Sequence, residues 1–178
     1  GRLREARRGA QRADIIVVTK CPGDLSEQSQ EEFRQGVAKY APGKPVLFST
    51  VSYDEPRALG AATTMEQQVI LVTGIAKTTP LLQFCQSKYR VIRHFQFDDH
   101  HHYTQQELDE IERCFRQQSQ PCSILTTEKD MVKLIADPFA AHISRLPWFY
   151  IPIRQEFVKD GLKFDTLVLD AIKAHERK

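Results

Sequence analysis

Two apolar patterns alternate along this chain: short, nearly continuous runs of β-branched and aliphatic residues, and longer stretches with apolar side chains every three or four positions. The first pattern suits strands buried on both faces, and the second suits helices packed on a sheet. The runs predict strands at Asp14 to Thr19, Pro45 to Val51, Gln68 to Gly74, Tyr89 to Phe97, Cys122 to Thr126 and Trp148 to Ile153. Helices are predicted over Leu25 to Tyr40, Thr78 to Lys88, Thr104 to Gln117, Thr127 to Ile135 and Phe164 to Glu176.

Local chemistry marks the ends of these elements. Ser26 is an N-cap residue, and Pro42-Gly43 lies beyond the end of its helix. Thr78 caps the next helix, with Pro80 in its first turn. Thr104-Gln105-Gln106-Glu107 has the form of a capping box. Pro152 places the last strand near a sheet edge. Strands alternating with helices predict an α/β fold with a parallel, doubly wound sheet. A break in composition between Asp54 and Gln68 is the expected seam, giving units at 1–53 and 69–178 joined by a linker at 54–68.

The chain has 178 residues, enough to bury a core as one domain or one and a half. Its net charge of +2 makes no global case for nucleic-acid binding, and none is expected. The basic excess is local: Arg2, Arg4, Arg7, Arg8 and Arg12 stand against Glu5 alone. Such a segment is a solvated helix face, or a surface for anions or a membrane. Cys21, Cys85, Cys114 and Cys122 form no C-x-x-C pair and read as reduced, mostly buried thiols. No apolar run approaches the ~20 residues of a membrane span. No signal-peptide pattern is present. The chain starts at Gly1 inside a charged, helix-like stretch, so a longer protein is expected.

Candidate chemistry concentrates in Phe97-Asp98-Asp99-His100-His101-His102-Tyr103-Thr104, between a predicted strand and a predicted helix. Open α/β sheets put their sites at such junctions. Histidine titrates nearest neutrality, and a neighbouring carboxylate fixes its tautomer and raises its basicity. A metal site, a surface run without a role, and a catalytic His steered by an acid are all readings of this cluster. Consecutive residues cannot all turn to one ion, and no second His/Asp cluster accompanies them, so no metal site is expected in this fragment.

Three other segments carry weaker signals. Val17-Val18-Thr19-Lys20 resembles the base-reading strand of P-loop nucleotide enzymes, but lacks its final Asp. Gly74-Ile75-Ala76 before Thr78 and Pro80 is a glycine turn feeding a helix N-terminus, either an anion site or packing geometry. Lys129 falls in the first turn of a helix, where a cation is mildly unfavourable and calls for an anionic partner.

Together these segments resemble one family. Gly1, Leu3, Arg4 and Glu5, then Arg12 to Lys20, Thr73-Gly74-Ile75-Ala76, Phe97 to Thr104, and Thr126-Thr127-Glu128-Lys129-Asp130 through Leu134 follow the order of the C-terminal half of tetraacyldisaccharide 4'-kinase, the lipid A kinase of Gram-negative bacteria. The resemblance runs over nearly the whole chain. It implies the C-terminal part of a two-lobed P-loop kinase, with residues 1–53 a remnant of the N-terminal lobe. It implies transfer of the γ-phosphate of ATP, with Mg²⁺, to the 4'-hydroxyl of a tetraacyldisaccharide 1-phosphate lipid. The cytoplasmic face of the bacterial inner membrane is the implied location, and the membrane surface an implied partner. ATP and Mg²⁺ are expected to be bound mainly by the N-terminal half.

Asp99 and His100 match the family's Asp-His, so His100 is the implied catalytic imidazole. Arg4 and Glu5, with Lys20, are the implied nucleotide-binding residues. Thr127 and Lys129 lie in a family motif, in a structural or phosphate-facing role. Asp98 stands where the family commonly has Pro, and His102 adds a third imidazole, which leaves the base open between His100 and His101. No Gly-x-x-x-x-Gly-Lys-Thr occurs here, so the fragment is expected to be inactive alone. The alternatives are a metal-dependent phosphoesterase using the Asp-His-His cluster, and a non-catalytic interaction module.

Overall fold

A computed structural model describes residues 6–60, 62–159 and 161–176. The chain packs as two compact units, Gly1–Ser52 with Arg154–Lys178, and Tyr53–Ile153.

In the first unit, Arg7–Arg12 forms a short 3-10 helix, and the Arg7 guanidinium lies 5.5 Å from the centre of the Tyr40 ring. Strand β1 (Ile16–Val18) pairs in parallel with β2 (Val46–Tyr53). Helix α1 (Glu27–Ala38) links them, and the Ser26 side chain accepts a bond from the Ser29 N–H at 3.2 Å, as its cap position predicts. Strand β8 (Ile153–Phe157) lies on the other side of β2, and α6 (Gly161–Glu176) closes the unit.

The second unit holds a five-stranded sheet in the order β3-β7-β6-β4-β5. Its strands are β3 (Arg57–Ala58), β4 (Gln68–Thr73), β5 (Arg90–Gln96), β6 (Cys122–Thr127) and β7 (Trp148–Ile151). β5, β4, β6 and β7 are parallel, and the two-residue β3 runs antiparallel on β7. Helix α2 (Thr79–Lys88) joins β4 to β5, and α3 (Gln105–Arg116) joins β5 to β6. Two short helices, α4 (Glu128–Leu134) and α5 (Ala140–Ile143), join β6 to β7.

Strand alternation sends side chains to opposite faces, and both faces are covered. Val69, Leu71 and Leu125 pack with Leu81 and Cys85 of α2. Ile70, Val72 and Ile124 pack with Leu108 and Ile111 of α3, Leu134 of α4 and Ile143 of α5. Right-handed crossovers require this: the connection from β4 to β5 runs one way along the sheet and those after it run the other way. The expected parallel, doubly wound sheet is therefore present. Its direction reverses between β4 and β6, and open sheets leave a crevice at that point, beyond the strands' C-terminal ends.

The chain divides differently from the expected 1–53, 54–68 and 69–178. Residues of the expected linker belong to the second unit: β3 pairs with β7, and the Glu66 N–H donates to Ser123 Oγ at 3.0 Å. The expected single strand Trp148 to Ile153 is two strands in different sheets, broken at Pro152. Proline has no N–H to give a ladder, so pairing changes partner there. β7 consequently lies inside the sheet. Thr78 occupies the N-cap position of α2, but its side chain makes no capping bond.

Candidate functional site

Three chain segments converge at the C-terminal ends of β4, β5 and β6. After β5, the Phe97 N–H donates to Thr73 O at 2.7 Å, which ties the departing chain to the end of β4. The chain then turns tightly, with the His101 N–H donating to Asp98 O at 3.2 Å. His100 takes a left-handed conformation, φ 62°. A residue with a Cβ rarely adopts that region and holds it only where its surroundings fix it.

The surroundings here are specific. Asp99 Oδ1 accepts the His100 N–H at 3.1 Å, and it also accepts a bond from Lys129 Nζ of α4. The His100 ring folds back so that Nε2 lies 3.7 Å from Asp99 Oδ2, yet its side chain stays 78% exposed. On the far side, Lys133 Nζ donates to His101 O at 3.0 Å.

His101 is held in a different way. Its ring stacks on Phe97 with centroids 4.5 Å apart, and it meets Tyr103 edge-on at 5.2 Å. Its Nε2 is 3.0 Å from both oxygens of Glu107. Glu107 also accepts the Thr104 N–H at 2.8 Å and completes the capping box of α3. The motif's second imidazole is thus packed into the fold, and its first faces solvent.

Asp130 organises the third segment. Its carboxylate is fully buried, and Oδ2 accepts the Gly74 N–H and the Thr127 hydroxyl, each at 2.7 Å. Lys133 Nζ lies 3.3 Å from Oδ1. The glycine turn that the sequence offers as an anion site thus binds the protein's own carboxylate. A Cβ at Gly74 would come 2.8 Å from Asp130 Oδ1, so only glycine allows this approach.

These contacts set the electrostatics. The Lys129 bond holds the Asp99 carboxyl below its usual range against the opposing effect of burial, and the nearby His100 and Lys129 charges add to the lowering. Burial raises the Glu107 carboxyl, but the bonds from His101 and Thr104 outweigh it and leave the group lowered. Burial, then the Asp130 charge, pushes the Tyr103 phenol up, so it stays protonated. Burial also lowers His94, whose Nε2 is 2.8 Å from Thr73 Oγ1. Cys85 and Cys122 are buried, with thiols raised to about 12 and about 11. At those values they are not nucleophiles at neutral pH.

Asp99, His100 and Lys129 therefore meet in one place, while the Thr127 hydroxyl is engaged by the Asp130 N–H and carboxylate as the cap of α4. Lys20 lies in the first unit, after β1, exposed and also left-handed at φ 60°. Arg4 and Glu5 lie outside the described residues. Sequence reasoning missed Lys133 and the site role of Glu107. Lys133 is one helical turn beyond Lys129, and Glu107 was visible as a capping residue only. Among the described residues, no three or more His, Cys, Asp or Glu side chains form a group able to hold a metal ion.

The family model described as "LpxK: Tetraacyldisaccharide-1-P 4'-kinase" matches residues 1–173. The chain is 33% identical over 178 residues to the tetraacyldisaccharide 4'-kinase of Flavobacterium johnsoniae, covering 97% of this chain and 49% of that protein. It is 34% identical over 179 residues to the tetraacyldisaccharide 4'-kinase of Cytophaga hutchinsonii, covering 97% of this chain and 50% of that protein. Its fold is similar to the crystal structure of "apo" form LpxK from Aquifex aeolicus in complex with ATP, with TM-score 0.55 and 19% identity over 96% of this chain and 46% of the other. The chain thus spans about half the length of the curated relatives it matches. A family model matched from end to end of the sheet, with the Asp-His-His turn at its C-terminal edge, shows that this chain belongs to the tetraacyldisaccharide-1-P 4'-kinase family.

Proposed function

We propose that this chain is the C-terminal part of a kinase that transfers the γ-phosphate of ATP to the 4'-hydroxyl of a tetraacyldisaccharide 1-phosphate. The observation that carries this reading is the Asp99–His100 turn, an exposed imidazole on an ionised carboxylate at the switch point of the sheet. It is the arrangement a weak hydroxyl nucleophile needs.

The 4'-hydroxyl oxygen attacks the γ-phosphorus, and a new P–O bond forms. The bond from that phosphorus to the β–γ bridging oxygen breaks, and ADP leaves with that electron pair. The hydroxyl proton passes to the His100 ring and then to solvent. Asp99 stabilises the imidazolium, as in other His–acid pairs. A positioned base of this kind contributes ~10²–10⁴-fold.

Mg²⁺ supplies charge neutralisation at the phosphates in such reactions. The described residues do not fit a site for it, because they form no ligand cluster and Asp99 is engaged by Lys129. ATP and Mg²⁺ are assigned chiefly to the half of the relatives that this chain does not span. Lys20, Arg4 and Glu5 are the proposed nucleotide-proximal residues here. Among the described residues no helix is long and apolar enough to cross a membrane. Contact with the cytoplasmic face of the inner membrane, where a lipid acceptor and ATP meet, is proposed to involve the arginines of the 3-10 helix. The names of the relatives do not favour a phosphoesterase.

The test is 4'-phosphorylation of the tetraacyl disaccharide by the full-length protein, comparing wild type with His100→Ala. A loss of about a hundredfold or more in a folded variant is expected. Activity equal to wild type would remove His100 from the mechanism.

A further inference from the structure

The left-handed turn at His100 has a support on each side, and both supports come from one face of α4. Lys129 and Lys133 are four residues apart, so their side chains leave α4 in the same direction. Lys129 Nζ bonds the carboxylate of Asp99, the residue before His100. Lys133 Nζ bonds the carbonyl of His101, the residue after it, at 3.0 Å. Between the two lysines, Asp130 is fixed to the end of β4 through the Gly74 N–H at 2.7 Å. The anchor points are therefore not free to drift: α4 is pinned at its first turn to a buried carboxylate, which is pinned to the central strand.

A left-handed His is strained and persists only where neighbours over-determine it. Neither lysine reaches the His100 ring in this structure. Their bonds fix its backbone instead, and so decide where the exposed ring points.

We propose that Lys129 and Lys133 are positioning residues that clamp the turn on either side of His100 and thereby hold its imidazole in the reactive orientation. The clamp rests on the kinase reading above, because it matters only if His100 acts. It also assigns the lysines to the loop, and not to direct contact with a phosphate.

A double-mutant cycle in the full-length protein separates the two readings. Lys129→Met and Lys133→Met are made in wild type and in His100→Ala, with kcat, both KM values and melting temperature measured. In wild type each is expected to lower kcat tenfold or more, with both KM values within about twofold, and Lys129→Arg is expected to restore most of the loss. In His100→Ala neither is expected to cost anything further, since the orientation they maintain is no longer used. An additive loss there would mean that the lysines act on substrate directly, which overturns the clamp. Wild-type kcat in both lysine variants, with His100→Ala inactive, overturns the clamp and leaves the kinase reading in place. A fully active His100→Ala overturns both. If Lys133→Met does not fold, Lys129→Met decides alone, because Lys129 is partly exposed and supports no buried charge.

Discussion

Gly74 donates its backbone N–H to the fully buried carboxylate of Asp130 at 2.7 Å, across 56 positions of sequence. This bond joins the end of β4 to the first turn of α4, and the His100 turn is built on both. A methyl group at position 74 would stand 2.8 Å from Asp130 Oδ1 and 3.4 Å from both Asp98 O and His101 Cβ. Gly74→Ala is therefore expected to destabilise the fold by about 1–3 kcal/mol through overpacking. Urea unfolding checks the value, and a midpoint equal to that of wild type would mean that the turn yields without cost.

The capping box of α3 carries more than helix stability. Thr104 Oγ1 accepts the Glu107 N–H at 3.3 Å, and the Glu107 carboxylate in turn accepts the Thr104 N–H and lies against His101 Nε2. Thr104→Ala is expected to cost about 1 kcal/mol. Thr104→Ser keeps the hydroxyl and is expected to cost much less. Thermal unfolding of both variants measures the difference, and equal losses would show that the hydroxyl bond contributes little.

The ionisation of Asp99 depends chiefly on Lys129. Its carboxyl is lowered in the folded chain, so the native state binds its proton less readily than the unfolded chain does. The stabilisation from this group is present above the unfolded Asp value of ~3.9. It is lost as pH falls through the lower folded value. Lys129→Met removes the largest cause, and the Asp99 midpoint is expected to rise towards the ordinary range. Carboxyl ¹³C NMR titration reads this directly. An unmoved midpoint would show that another group holds the charge.

Much of this was legible in the chain itself, for reasons that vary with the element. β4 and β6 could be read because an unbroken run such as Val69-Ile70-Leu71-Val72 has no polar side to expose. The start of α3 could be read because a capping box is a local hydrogen-bond pattern over four residues. β3 could not, since Arg57 and Ala58 form a strand only because β7 offers an edge. Pro152 announced a disturbance but not its kind: the chain breaks there and its two sides pair with β6 and β2, which no local pattern states.

The sequence by itself determined the alternation of buried strands and amphipathic helices, the caps, and the residue types of the Asp-His-His turn. All of these are consequences of side-chain polarity and hydrogen bonds between near neighbours. Only the tertiary structure decided how the turn around the exposed His100 is held. His100 and His101 are the same residue one position apart, and they differ only in what the fold brings to them. Phe97 and Glu107 take the His101 ring, while the two lysines of α4 hold the backbone around His100 and leave its ring exposed. The His101 ring contacts lie within six positions of sequence, but the lysine contacts around His100 span 30 and 32 positions and exist only once β5, β6 and α4 have packed.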